Sequence, residues 1–479
     1  MRASTIELIK EIEGQFNVEK WSIDGTPIWP FLRMKIGHRL EIERYSGKSA
    51  HQSARRSPVS RATRALFCTI DLRTILENCE VLILNDGSGY YRAMGGEKNR
   101  HFDFIVNAHE LASSGGARFL DYADSGPSAS KLREASIECW LDRQYLKSML
   151  LHFVLPKRPN IDFGMQYKSF LEHCKGIGVY DVGFEIAAMA LFIKRWNYVC
   201  RKIESVLAKL ADLKVCYITT YYGFYGLAFT AALKKSGVKV VDVQHGLQGK
   251  SHYAYASWKL NQGRGYAQIP EYFIVWTDCD KNSLAEWIRE DNVFVIGIPF
   301  EDIGEEVEAD GVKNSGCTEI LYSCSNFPVE REIGLLQGIA SIGLRNVHFL
   351  VRSHPTDLDK LDEIDAYLKE ISLQNYELFE SSRGSLASVI KAADMHVTIC
   401  SSVAIEFNSS GKKSLLPKEY AYSVLDEYNI GLFEYFATSS ELKGLIGKVV
   451  AETKGGATRQ VSVQQTFENA KCIVRKLLE

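Results

Sequence analysis

Four clusters of polar residues, each following a run of apolar strand-forming residues, hold the side chains best suited to chemistry. The first is Asn85-Asp86-Gly87-Ser88-Gly89, after VLILN. Its glycines permit a tight turn, and Asp86 either closes an Asx turn or projects a carboxylate into a cleft. A carboxylate at the centre of such a turn repels phosphate, so its chemistry is proton abstraction or stabilisation of a cation. The second is Gln244-His245-Gly246, after VKVVDV, where His245 either serves as an acid or base and an anion donor or is a satisfied histidine at a turn. The aromatic residues beyond it (His252, Tyr253, Tyr255, Trp258) flank a sugar ring or simply pack. The third is Arg352-Ser353-His354-Pro355, after VHFLV. Arg352 and His354 share a side by the period of two, and Pro355 biases His354 towards extended geometry, a pairing of cation and imidazole that suits a diphosphate. The fourth is Ser401-Ser402, after MHVTIC, whose hydroxyls and free N–H groups open a helix and make an anion site or a plain cap. Glu406, one turn on and on the Ser402 face, is placed to accept from ribose hydroxyls.

The elements that position these clusters alternate regularly. Apolar spacing predicts helices over residues 4–16 and about 27–45, then a patternless basic stretch, SGKSAHQSARRSPVS, at 46–60. Strand 81–85 is followed by a less legible region at 115–160 and a long helix over about 181–212. A βαβ unit spans 215–243, and strand 272–276, helix 279–290 and strand 293–297 follow it. After the acidic segment 303–317, strands at 319–324, 347–351, 376–379, 395–399 and 413–417 alternate with helices at 329–342, 357–370, 384–392 and 402–410, and KSLLP (413–417) closes the series. Helices over about 439–450 and 461–478 end the chain. Short apolar strands alternating with helices predict α/β domains with parallel sheets covered on both faces. The expected organisation is a helical segment and linker at 1–60, a Rossmann-like domain at 61–302 and a second at 318–460. The helix at 461–479 packs on its own domain or crosses back to the first. In such sheets ligands lie beyond the carboxyl ends of the strands, where all four clusters fall.

The chain has 479 residues, a length that accommodates two large domains or three small ones. Its 57 basic and 59 acidic residues nearly cancel, which argues against nucleic acid as a partner. No apolar run approaches a membrane span, and MRASTIELIKEIEGQF carries acids where a secretory signal has its apolar core. The 11 cysteines form no CxxC pair, which fits free thiols in a reducing cytoplasm, and no metal or other cofactor is expected. GxxxxGK[ST], GxSxG, HExxH and a helix-opening GxGxxG are absent. One DxD, Asp278-Cys279-Asp280, either caps a helix or holds a divalent cation. Helix 27–45 sets Arg33, Lys35, His38 and Arg39 beside Trp29, Phe31 and Leu32, so it packs on its own domain or rests peripherally on an anionic membrane.

With these clusters in hand, the chain resembles GT-B glycosyltransferases of bacterial capsule and O-antigen assembly, especially the branch of capsular Kdo transferases and bacterial polysialyltransferases. The resemblance covers about residues 215–420 and rests on QHG (Gln244-His245-Gly246), HP (His354-Pro355) and Ser-Ser (Ser401-Ser402). WSIDGTPIWPFLR (21–33) also resembles surface-polysaccharide proteins. The resemblance implies two Rossmann-like domains facing across a cleft. It implies that His354, Ser401 and Ser402 contact the nucleotide and phosphate of a CMP-sugar. It implies an acidic base in the N-terminal cleft, matched by Asn85-Asp86-Gly87 with Asn in place of the first acid. The implied activity is transfer of Kdo or a related 2-keto sugar acid from a CMP donor to a growing surface polysaccharide, on a glycan or lipid-linked acceptor. Asp86 would be the base with His245 next in line, Arg352 and Glu406 would assist at the donor, and Gln244 and Gly246 would line the cleft. Rivals are a polyol-phosphate transferase with a CDP-linked donor, a sugar-nucleotide epimerase, and a non-catalytic glycan-binding assembly subunit.

Overall fold

A computed structural model describes residues 4–46, 65, 68–93, 96–110, 116–122, 135–154, 159–163, 166–260, 265–299, 317–325, 327–340, 347–354, 360–371, 375–379, 386–453 and 463–478. The expected linker beyond Ser46, the boundary segment before Cys317, and Pro355 lie outside the described residues.

The strands of the two large sheets are β1 (Cys79–Asn85), β2 (Gly116–Asp121), β3 (Ala135–Ser136), β4 (Val215–Ile218), β5 (Lys239–Val243), β6 (Tyr272–Val275) and β7 (Val293–Val295), then β8 (Thr318–Ser323), β9 (Val347–Arg352), β10 (Tyr376–Phe379), β11 (Met395–Val397), β12 (Ser414–Pro417) and β13 (Phe433–Phe436). The first sheet runs β7-β6-β5-β4-β1-β2-β3 and the second β10-β9-β8-β11-β12-β13. Every neighbouring pair in both is parallel. The expected pair of doubly wound α/β domains is therefore the observed architecture. Strand order reverses at β1/β4 and again at β8/β11, the places where sheets of this kind form a binding crevice.

The residue alternation explains why both faces are covered. In β1, Leu82 and Leu84 enter one apolar cluster, while Val81 and Ile83 enter the other. In β8, Ile320 and Tyr322 face one cluster and Leu321 the opposite one. The region 115–160 resolves into β2, the two-residue β3 and helix Glu138–Val154. The second sheet does not end at KSLLP: helix Lys418–Leu425 leads to β13, whose Phe433 and Phe436 are buried. FEYF is too short to show a period of its own, and its place is set by pairing with β12.

Helix Thr5–Gln15 opens with a capping box, in which the Glu7 N–H donates to Ser4 Oγ and the Ser4 N–H returns a bond to the Glu7 carboxylate. Helix Trp29–Ser46 buries much of its length, including Trp29, Phe31, Leu32 and Ile36, and leaves His38 exposed. Arg33 is wholly buried, Lys35 lies over the Phe192 ring, and Arg39 pairs with Asp181. Among the described residues no helix is long and apolar enough to cross a membrane.

One apolar cluster spans both sheets. It joins Val81, Ile83 and Trp276 of the first domain to Ala404, Ile405 and Leu416 of the second. Helix Val463–Leu478 adds Ala470, Ile473, Val474 and Leu477, packed on helix Asp103–Glu110 through Ile105 and Ala108. Lys239 Nζ donates to the Leu477 carbonyl at 2.8 Å, and Asn469 Nδ2 to the Ile296 carbonyl at 3.1 Å.

A buried hydrogen-bond pair crosses the same interface. Tyr428 Oη, from the second domain, donates to Asp280 Oδ1 at 2.5 Å and accepts the Gly249 N–H at 2.7 Å. Tyr428→Phe removes this bond from the buried Gly249 N–H and from one oxygen of the buried Asp280, so the urea unfolding midpoint should fall by an amount equivalent to about 1–3 kcal/mol. An unchanged midpoint would show that this crossing contributes nothing to stability.

Candidate functional site

The first crevice is built by the turn after β1. Gly87 and Gly89 adopt φ of 87° and 82°, and a Cβ on Gly89 would meet His101 Cδ2 at 2.3 Å. Asn85 is fully buried, and its amide nitrogen donates to Asp121 Oδ1 at 3.0 Å and to the Ser88 carbonyl at 3.1 Å. A carboxylate at position 85 would press against Asp121, so the amide is the residue this turn needs. Asp86 closes an Asx turn: its Oδ1 accepts from Ser88 N at 3.0 Å and Ser88 Oγ at 2.6 Å. Its Oδ2 points the other way and accepts from Thr220 Oγ1 at 2.5 Å. The Asx turn thus uses one carboxylate oxygen, and the other is tied to Thr220.

Thr220 stands at the end of β4, across the strand-order reversal, with φ of 53°. A β-branched residue in the left-handed region is strained, and such strain gathers where a side chain must be aimed. Tyr122 Oη holds the turn by donating to the Thr219 and Thr220 carbonyls at 2.8 and 3.0 Å. His245 Nε2 lies 3.5 Å from both Thr220 Oγ1 and Tyr222 Oη. A polar chain thus runs from Asp86 through Thr220 to the imidazole. His101 meets that ring edge-on, with centroids 6.2 Å apart. Burial pushes both histidines below the ordinary imidazole range; Arg100 adds to the effect on each, while Asp86 opposes it at His245. At neutral pH His245 is therefore an unprotonated imidazole beside a carboxylate, able to take a proton.

Its neighbours in the QHG cluster differ. Gln244 is buried and structural: its Oε1 accepts the Trp276 N–H at 2.5 Å and its Nε2 donates to the Gly246 carbonyl at 2.8 Å. It ties the ends of β5 and β6. A Cβ on Gly246 would meet open space.

In the second domain, β9 and β11 flank β8, so Arg352-Ser353-His354 and Ser401-Ser402 stand on either side of the β8 end. Arg352 and Ser353 are buried and His354 is half-buried. Between them Ser325 Oγ lies 3.0 Å from Thr398 Oγ1 and accepts the Cys400 N–H at 2.9 Å. Ser401 Oγ accepts the Val403 N–H at 3.3 Å as a cap, while the Ser402 side chain makes no cap bond. Glu406, expected at a ribose, uses its Oε1 to accept from Arg100 Nη2 of the first domain at 2.8 Å. That ion pair brings the Ser401-Ser402 helix against the turn that carries His101.

Asp280 of the DxD is an interface residue that also accepts from Thr277 Oγ1 at 2.7 Å. Among the described residues, no three His, Cys, Asp or Glu side chains are grouped to hold a metal ion. Thr219, Thr220, Tyr222 and Arg100 were not singled out in the sequence. The threonines had a signal, since they end VCYITT at a strand's carboxyl terminus; Arg100 had none.

No protein-family model and no curated protein matches the chain. Among solved structures it is similar to Methanocaldococcus jannaschii UDP-GlcNAc 2-epimerase in complex with UDP-GlcNAc and UDP, at 16% identity over 83% of this chain and 98% of that one, with a TM-score of 0.47. Neisseria meningitidis UDP-GlcNAc 2-epimerase bound to UDP-GlcNAc is 10% identical over 83% and 99% of the two chains, TM-score 0.47. Anabaena HepE in complex with UDP and glucose is 13% identical over 84% and 96%, TM-score 0.42. These are likenesses of fold.

Beneath His245, in β5, lies Asp242, fully buried, with Gln248 Nε2 donating to its Oδ2 at 3.0 Å. Burial pushes its carboxyl up to about 8, against the pull of that bond. A raised folded-state value stabilises the fold at low pH, and that contribution is lost as pH rises through about 8. Wild type should therefore lose stability relative to Asp242→Asn progressively between about pH 4 and 8, and no further above that. Parallel thermal melts across that range would contradict the assignment.

Proposed function

We propose that the chain is a sugar-nucleotide enzyme, and specifically a glycosyltransferase of GT-B architecture. The observation that carries the reading is the Asp86–Thr220–His245 chain at one strand-order reversal, linked by Arg100–Glu406 to the hydroxyl- and cation-bearing reversal of the other domain. The second domain holds the nucleotide: Arg352, His354 and the Ser401-Ser402 turn offset the charge of the departing phosphate. The first domain does the proton chemistry. His245 takes the acceptor hydroxyl's proton, and Asp86, through Thr220, stabilises the imidazolium that forms. The donor is a CMP-linked 2-keto sugar acid such as Kdo, and the acceptor a bacterial surface glycan; both follow from the QHG, HP and Ser-Ser resemblance.

One observation favours a second reading. The apolar cluster shared by the two domains and the Arg100–Glu406 pair hold the domains against one another next to His101, whose ring meets His245. That suits a sugar-nucleotide epimerase, which needs no acceptor.

Incubating the protein with CMP-, UDP- and CDP-linked sugars, with and without acceptor glycan, separates the readings. Acceptor-dependent nucleotide release supports transfer, interconversion without release supports epimerisation, and silence across the panel removes both. His245→Gln should cut turnover about a hundredfold or more while nucleotide affinity is kept. His354→Ala should weaken CMP or UMP binding by about 1–3 kcal/mol in calorimetry. Near-normal turnover in the first variant, or unchanged affinity for both nucleotides in the second, would strip that residue of its role.

A further inference from the structure

The segment Trp21–Arg33 has no part in the chemistry just described, yet its last residue is among the most engaged side chains in the molecule. Arg33 is fully buried beside Glu13, with which it forms an ion pair, and its guanidinium lies 4.4 Å from the Trp258 ring centroid. Trp29 Nε1 donates to the same Glu13 carboxylate at 2.7 Å, so the pair is fully enclosed. The remaining guanidinium donors go to the turn that follows the QHG cluster. Nε donates to the Tyr253 carbonyl at 2.8 Å, Nη1 to the Ser257 carbonyl at 3.2 Å, and Nη2 to the Ala256 carbonyl.

The carbonyls between are also taken. Ala254 accepts from Tyr221 Oη and, at 2.9 Å, from Trp258 Nε1; Tyr255 accepts from Trp287 Nε1 at 2.7 Å. Five consecutive carbonyls of an irregular buried turn are thus satisfied by side chains, three of them by one arginine. Ser257 ends the turn at φ of 47°, a strained conformation that these bonds hold. One helical turn beyond Arg33, Gly37 lies against the Tyr253 ring. A Cβ there would meet Tyr253 Cγ at 2.3 Å, so the helix approaches the turn as closely as a glycine permits.

The same turn supplies three walls of a cage around Tyr222. The rings of His252, Tyr253 and Tyr255 have centroids 5.7, 6.4 and 5.9 Å from it, and His252 stacks on Tyr253. Tyr222 Oη is one of the two hydroxyls beside His245 Nε2. We propose that Arg33 and Gly37 are positioning residues for the His245 imidazole: they fix the 253–257 turn, the turn fixes Tyr222, and Tyr222 aims the ring. The N-terminal helical segment then belongs to the catalytic apparatus. This inference rests on the reading of His245 as the acid–base group, but its test does not require turnover.

The test follows the His245 titration by ¹H–¹³C NMR in the full chain, with the signal identified by its loss in His245→Gln. Asp86, Arg100, His101, Thr220, Tyr222 and His252 face or act on that ring and are left intact. Gly37→Ala pushes the Tyr253 ring away and loosens the cage. The His245 value should then rise by roughly 0.5 or more towards the ordinary 6.5. Where turnover is measurable, kcat should fall about tenfold with the nucleotide KM unchanged. Arg33→Lys, whose single ammonium cannot serve three carbonyls, should act in the same direction. A folded Gly37→Ala protein with an unshifted His245 titration overturns the proposal. If Gly37→Ala does not fold, Tyr253→Leu removes a cage wall without demanding space, and an unshifted titration there overturns it equally. A shifted titration in a protein whose turnover survives His245→Gln would leave the positioning role standing and refute the acid–base reading.

Discussion

A parallel sheet buried on both faces can show its polar side chains only at its ends, and the candidate site follows from that constraint. The central strands of the two large sheets are mostly apolar between helices, with Asp242 and His396 buried there as exceptions. Residues able to bind or react are displaced to the loops beyond the carboxyl ends, and the reversals at β1/β4 and β8/β11 part the loops enough to leave crevices. Asp86 and Thr220 lie on opposite sides of the first reversal. Their hydrogen bond exists because the sheet places β1 beside β4.

Electrostatics then separates the two crevices. In the first, burial keeps His245 and His101 neutral at physiological pH and Asp86 is held by hydroxyl and amide donors, so the groups are set for moving protons. In the second, Arg352, His354 and the serine hydroxyls suit an anion. Arg100 and Glu406 join them without adding net charge, and the shared apolar cluster holds the domains together behind that pair.

Much of this was legible in the sequence because it depends on local pattern. The period-two strands, the helices between them and the four polar clusters at strand ends all follow from residue type and spacing. What was not legible depends on partners far away in the chain. Nothing near Glu406 in the sequence announces its ion pair with Arg100, 306 positions earlier. Gln244 looks like a ligand until its amide is seen bridging two strand ends, and Asn85 looks like a lost acid until Asp121 is found against it. Arg33 could be read from the sequence as packing on its own domain or facing a membrane, and only its distant partners show that it holds the turn beneath the site. The edge strand β13 was missed for a related reason, since its four residues become a strand only through pairing with β12.

The central claim is that both crevices act on one molecule, with nucleotide at the second and sugar at the first. The most direct measurement is titration of the protein with a nucleotide sugar and, separately, with the bare nucleotide, following the imidazole signals of His354 and His245 by NMR. The account predicts that the bare nucleotide moves His354 alone and that the nucleotide sugar moves both. A nucleotide sugar that binds and leaves both signals in place would contradict it.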